Sequence, residues 1–201
     1  MIIEHKGKRP SIDSTASIAP SAVISGDVVI GPYTCVLAGA VLTSEGAPLR
    51  IGSRCVIMEH AVIRGAGVHA CTIGDHVLVG PHTHISGASV EACCFIATGA
   101  TILNGAVVGE GSVIAINAVV HIGAHCPPST FVPLGHIAYG DPATTYTVAR
   151  AAEVHAQIAT VGFTNIVFGF DSSQMKDGEA TRQLCERYTA ALLSHSEDRV
   201  L

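Results

Sequence analysis

The sequence predicts an all-β solenoid, a left-handed parallel β-helix of six-residue repeats that ends in a C-terminal α-helix. Three observations predict it. From Ile18 onward an aliphatic residue recurs every six positions, as in ISGDVV, IGPYTC, VLAGAV and, much later, IATGAT, ILNGAV, VGEGSV and IAINAV. A small or β-branched residue usually stands four places after it, as at Ala22, Thr34, Ala40, Cys55, Ala61, Thr83 and Ala100. The 201 residues include 21 glycines, no tryptophan and few charges, a balance that suits short strands and tight corners better than packed helices. Neither a 3.6-residue period nor simple alternation keeps this register for about a hundred residues, whereas one strand plus one corner per unit, three units per coil, does.

Taken in order, residues 1–17 read as a lead-in and 18–126 as the solenoid. Its six-residue count breaks in three places. The stretches "GAPLR" and "GAGVHACT" lengthen corners into loops, and "ISGAS" is one residue short. Residues 127–177 read as an irregular exit, opened by "CPPSTF", and "ATVGFTNIVFGFD" is expected to pack along a solenoid face. In 178–201, Leu184, Tyr188 and Leu192 fall at four-residue intervals, which predicts an amphipathic helix covering the side of this or a neighbouring solenoid.

A net charge of −5 with scattered Lys and Arg gives no basic face, so no nucleic-acid partner is expected. No apolar run is long enough to span a bilayer and "MIIEHKGKRP" has no apolar signal region, so membrane insertion is not expected and the predicted location is cytoplasmic. Seven cysteines without C-x-x-C spacing indicate neither a disulfide framework nor a zinc ribbon. In the register Cys94 points inward and Cys93 outward, so packing rather than thiol chemistry is expected there.

The stretch "LVGPHTHISGAS" raises the question of a metal site. His60 and His82 occupy the same place in their units, in coils about 4.8 Å apart, and His84 is close by. With Glu59 as a fourth group, His60, His82 and His84 form a candidate ligand set for zinc or a similar divalent ion. The other reading is outward-facing rings that stack or hydrogen-bond.

The unit lengths and breaks resemble the γ-class carbonic anhydrase group of hexapeptide-repeat proteins, over residues 18 to about 145. "AVLTSEGAPLRIGSRCVIMEHAVIR" is similar to that family's AVIRGD, IRIG and IQD segments, "ISGAS" to its LHGCT unit and "YGDPA" to its VGxPA close. The resemblance implies a homotrimer with a zinc-type site at each interface, held by three histidines from two subunits and completed by Arg, Gln and Asp residues. Carried over by position, those three histidines fall on Arg64, Pro81 and Ser86. The Arg and Asp fall on Thr43 and Glu45, and the Gln and Asp on Met58 and Glu59. Arg64 brings a permanent positive charge and proline has no side-chain donor, so hydration of CO2 through the family position is not expected and no cofactor is expected there.

Three functional classes follow. The favoured one is a γ-carbonic-anhydrase-like trimer without the family zinc site, a binding or assembly module in which Glu45, Glu59 and Arg64 form an ion-pair cluster or a small polar pocket. The second is a metal-dependent lyase or hydrolase using His60, His82 and His84. The third is an acyl-CoA-dependent acyltransferase, for which His121 is the candidate base.

Overall fold

The computed structural model describes residues 1–161, 165, 167, 169, 171, 175 and 178–201. Parallel coils stack into a three-sided β-solenoid whose faces, among the described residues, are one ten-stranded and two seven-stranded sheets. Strands recur on each face every third element. On the first face Val23–Ser25, Val41–Ser44, Val62–Gly65, His84–Ser86, Thr101–Ile102, Val119–Val120 and Ile137–Gly140 stack in parallel.

The repeat forms this shape because the residue opening each unit points into the core. Ile24, Leu42, Ile63, Ile85, Ile102 and Val120 are paired in register along the first face and are all fully buried. The residue four places later is small because it lies inside a corner: Ala22, Ala40, Ala61, Ala100 and Ala118 have no exposed surface. Where that residue is Thr34, its hydroxyl donates to the Gly52 carbonyl at 2.8 Å and accepts from the Cys55 amide at 3.1 Å, so a buried polar group is satisfied. Cys94 is buried and Cys93 exposed.

The solenoid is longer than 18–126. Ile2–Glu4, Ser11–Ile12 and Ser17–Ile18 form a first coil within the assigned lead-in. Phe131–Val132 and Ile137–Gly140 continue the stack within the assigned exit segment. Cys126, Val132 and Ala138 keep the six-residue spacing and are fully buried. Pro127 and Pro128 fall between strands at a corner, where a fixed φ and a missing N–H do no harm.

Both ends of the first face are capped by antiparallel strands of the same chain, four and two residues long, so the outermost edges are short and offer little template for further strand pairing. Ala143–Tyr146 turns back on Ile137–Gly140 at one end, and Arg199–Val200 pairs with Ile2–Glu4 at the other. Between them the chain forms α1 (Ala151–Val161) and α2 (Glu179–Leu192). Val154 and Ile158 of α1 pack with Ile122, Tyr146, Leu103 and Tyr139 on the outside of the solenoid. The phenylalanines of the stretch 159–171, at 163, 168 and 170, lie outside the described residues, although Val167 joins this same cluster. No helix among the described residues is long and apolar enough to cross a membrane.

Candidate functional site

On the first face, side chains alternate inward and outward. Ile63 faces the core, so Arg64 faces out, in register with Thr43 on one side and Ser86 on the other. The Arg64 guanidinium donates from Nε to the Ser86 hydroxyl at 3.4 Å. It lines a cavity of about 240 Å3 between the solenoid and α2. Leu184, Tyr188, Arg187 and Ala191 of α2 form one wall, and Ala66, Val68 and buried Asn104 belong to the other. The helix face read from Leu184 and Tyr188 lines this cavity opposite its own solenoid, although Tyr188 and Leu192 are both exposed and no residue of α2 is buried. A cavity with two guanidiniums, an amide, a phenol and aliphatic walls has the character of an anion site, since Arg presents planar donors matched to carboxylate and phosphate oxygens.

His84 lies one strand over from Val62, half-buried beside this site. Burial, and then the charge of Arg64, holds its imidazole below the ordinary histidine range, so the ring is neutral at pH 7. It adds no third cation to the cavity.

His60 and His82 stack on consecutive coils with ring centroids 5.3 Å apart and planes 10° apart. Both occupy solvent-exposed corners with left-handed backbone, at φ 58° and 56°. His84 belongs instead to a strand on the first face. Among the described residues of one chain, His60, His82, His84 and Glu59 do not form a three-donor cluster.

Glu45 pairs with the C-terminal segment: its Oε2 stands 3.0 Å from His195 Nε2. His195 Nδ1 is 2.8 Å from Asp198 Oδ2, and His5 Nδ1 is 2.6 Å from Asp198 Oδ1. Among the described residues, His5, His195 and Asp198 are the three metal-capable side chains whose donor atoms converge, all within 4.8 Å. Sequence reasoning missed this group because its members are separated by up to 193 positions, and no local motif links them.

His121 stands against α1, edge-on to Tyr139 and beside His155, in an open cavity of about 370 Å3. Burial and the neighbouring His155 lower its pKa. Its Nδ1 accepts the Ile122 amide at 2.8 Å, so the neutral ring carries its proton on Nε2 and its one lone pair is already engaged, which leaves no free base.

No protein-family model matches the chain. It is 34% identical over 142 residues to γ-carbonic anhydrase 1, mitochondrial, of Arabidopsis thaliana, a match covering 68% of this chain and 50% of that protein. It is 35% identical over 108 residues to a carbonic anhydrase of Geobacillus kaustophilus, covering 54% of this chain and 59% of the relative. The chain spans about half the length of the first curated relatives it matches. Among solved structures it resembles a Bacillus cereus protein whose acetyltransferase assignment is provisional, with a TM-score of 0.58 and 26% identity over 80% of this chain and 91% of that one. A Bacteroides fragilis UDP-N-acetylglucosamine acyltransferase shares the fold, with a TM-score of 0.53 at 16% identity over 90% of this chain and 78% of the other. The stacked parallel coils and these likenesses together make the chain a γ-carbonic-anhydrase-like member of the hexapeptide-repeat β-solenoid family.

Proposed function

We propose that this protein is a homotrimeric binding module on the γ-carbonic anhydrase scaffold, one that takes a small organic anion beside Arg64 and does not hydrate CO2 through the family's metal position. The observation that carries the reading is Arg64 itself. It lies where the resemblance puts a metal ligand, donates to Ser86 at the position of a second, and lines a cavity together with Arg187 and Tyr188.

A catalytic zinc needs three nitrogen, sulfur or carboxylate donors and one open position. Arg64 offers a fixed positive charge, Ser86 a neutral hydroxyl and Pro81 no donor, so these residues do not fit the ion. They fit an anion, because the planar Arg64 guanidinium can present two donors to the two oxygens of one carboxylate. The aliphatic wall of Ala66, Val68, Leu184 and Ala191 suits a carboxylate with a short apolar body.

Trimer formation belongs to the same proposal. Val56, Leu78, Phe95, Val113 and Phe131 form an outward ladder along the third face, with Phe95 45% and Phe131 60% exposed in the single chain. Such a face is stabilised by burial against copies of itself, and cyclic symmetry closes the contact. The cytoplasmic location is also proposed, on the ground that all seven cysteines are free thiols, as expected in a reducing compartment. An acyl-CoA transferase has less support, given the tautomer of His121.

Calorimetric titration with acetate, butyrate, benzoate and phosphate tests the anion site. Saturable binding of at least one carboxylate is expected, weakened about tenfold or more by Arg64→Gln, as for loss of one charge-assisted hydrogen bond. Arg150→Gln, on the exposed pair with Glu153, should leave it unchanged. Absence of saturable binding to every anion, or equal binding by the Arg64 variant, would remove the proposal.

A further inference from the structure

We propose that His5, His195 and Asp198 form a zinc-type divalent metal site that fastens the C-terminal segment to the first coil of the solenoid. This site is separate from the Arg64 cavity and from His60, His82 and His84.

The backbone builds it from both ends of the chain. Pairing of Ile3 with Val200 and of Glu4 with Arg199 carries Asp198 to the level of His5. A short 3-10 helix, Leu193–Glu197, then sets His195 three residues before Asp198, with the Asp198 amide donating to the His195 carbonyl at 3.2 Å. His5 is held by a tight turn closed by reciprocal amide–carbonyl bonds with Lys8, at 3.0 and 2.9 Å. The two imidazoles stack with centroids 4.2 Å apart, each presenting Nδ1 to a different oxygen of the Asp198 carboxylate.

Three features distinguish this group from an ordinary surface ion pair. First, the donor set is two imidazoles and one carboxylate, the set that suits zinc and its neighbours. A tetrahedral ion with ligands at about 2.0–2.1 Å keeps them about 3.3 Å apart, so the present separations of 2.6 and 2.8 Å need to open only slightly by side-chain rotation. Second, Glu45 stands 3.0 Å from His195 Nε2. With a metal bound, the ion would displace the proton that Nδ1 shares with Asp198 while Glu45 keeps accepting the Nε2 proton, the carboxylate–histidine arrangement that orients metal-bound imidazoles. Third, His5 is only 3% exposed and its Nε2 is buried with no hydrogen-bond partner among the described residues. Burial fixes this ring and turns its Nδ1 toward Asp198, so the nitrogen offered to an ion is shielded from water. The two carboxylates of Asp198 and Glu45 balance the charge of a divalent ion. An adjoining cavity of about 200 Å3, lined by His5, Ser44, Glu45, Asp27, Lys6 and Lys8, gives room for a water as a further ligand and a way in.

Chelator-stripped full-length protein titrated with cobalt(II) tests the assignment. One equivalent per chain is expected, with visible d–d absorption of a tetrahedral ion and a rise in melting temperature of several degrees. His195→Ala and Asp198→Asn should abolish the bands. Glu45→Gln should weaken binding about 10–100-fold, as expected for an outer carboxylate. His82→Ala and Arg64→Gln should leave binding unchanged, and circular dichroism confirms which variants are folded. Substoichiometric cobalt, or binding that survives His195→Ala and Asp198→Asn in folded protein, would overturn the assignment. Anion titration of the same His195→Ala variant separates this result from the Arg64 proposal, which does not depend on the metal.

Discussion

Gly65→Ala is expected to destabilise the protein by about 3 kcal/mol, at the upper end for a small overpacking change. Gly65 ends the strand that carries Arg64 and passes directly beneath the lengthened corner at Glu45–Pro48. A Cβ there would stand 2.0 Å from the Ala47 carbonyl oxygen and 2.7 Å from that of Pro48. Both are backbone atoms, so no rotamer relieves the clash and the corner itself must move. Gly135→Ala is the control: its φ of +64° carries conformational strain, yet nothing lies within 4 Å of an added methyl. That variant should lose only about 1–2 kcal/mol. Urea unfolding of the two proteins decides the matter, and equal losses would mean that the corner does not pack on Gly65. Because Glu45 accepts from His195 across the same corner, Gly65→Ala should also loosen the C-terminal segment.

The second large effect is expected at Ile63→Ala, a loss of about 3–4 kcal/mol. Ile63 is fully buried between Leu42 and Ile85 in the inner ladder of the first face. Truncation leaves a void that two stacked coils cannot close, because each is held by ladder hydrogen bonds to its neighbours. Val62 is next in sequence but faces outward and is only half-buried. Val62→Ala should therefore cost less than half as much by the same unfolding measurement. A reversal of that order would place the wrong side of the strand in the core.

Much of this architecture was legible in the sequence, and the reason is geometric. A solenoid repeats one packing environment, so Ile24, Leu42, Ile63 and Ile85 answer the same constraint and show it as a period. The ends of the stack were less legible. Pro127 and Pro128 read as a stop, although at a corner they are compatible with the next strand, and Cys126, Val132 and Ala138 carry the ladder onward in residues less uniformly aliphatic. The helical spacing of Leu184 and Tyr188 identified an apolar face, but not that Arg64 and Asn104 lie opposite it.

Site residues divide the same way. The stacking of His60 on His82 followed from unit register alone. His84 has the opposite environment despite being two residues from His82, because a corner separates them and sequence proximity does not carry across it. Glu45 was a candidate through its resemblance-derived position, yet its partner is His195, and the group of His5, His195 and Asp198 exists only because the chain's two ends pair. No period or motif encodes a contact between residues 5 and 198.

The most direct test of the central claim is stopped-flow CO2 hydration by the purified protein after loading separately with zinc, cobalt and iron. The expected result is a rate equal to buffer for every metal, including preparations that carry a full equivalent at His5, His195 and Asp198. Hydration that disappears on chelation, returns with metal and is lost in His82→Ala or Arg64→Gln would contradict the claim and identify a working hydratase site.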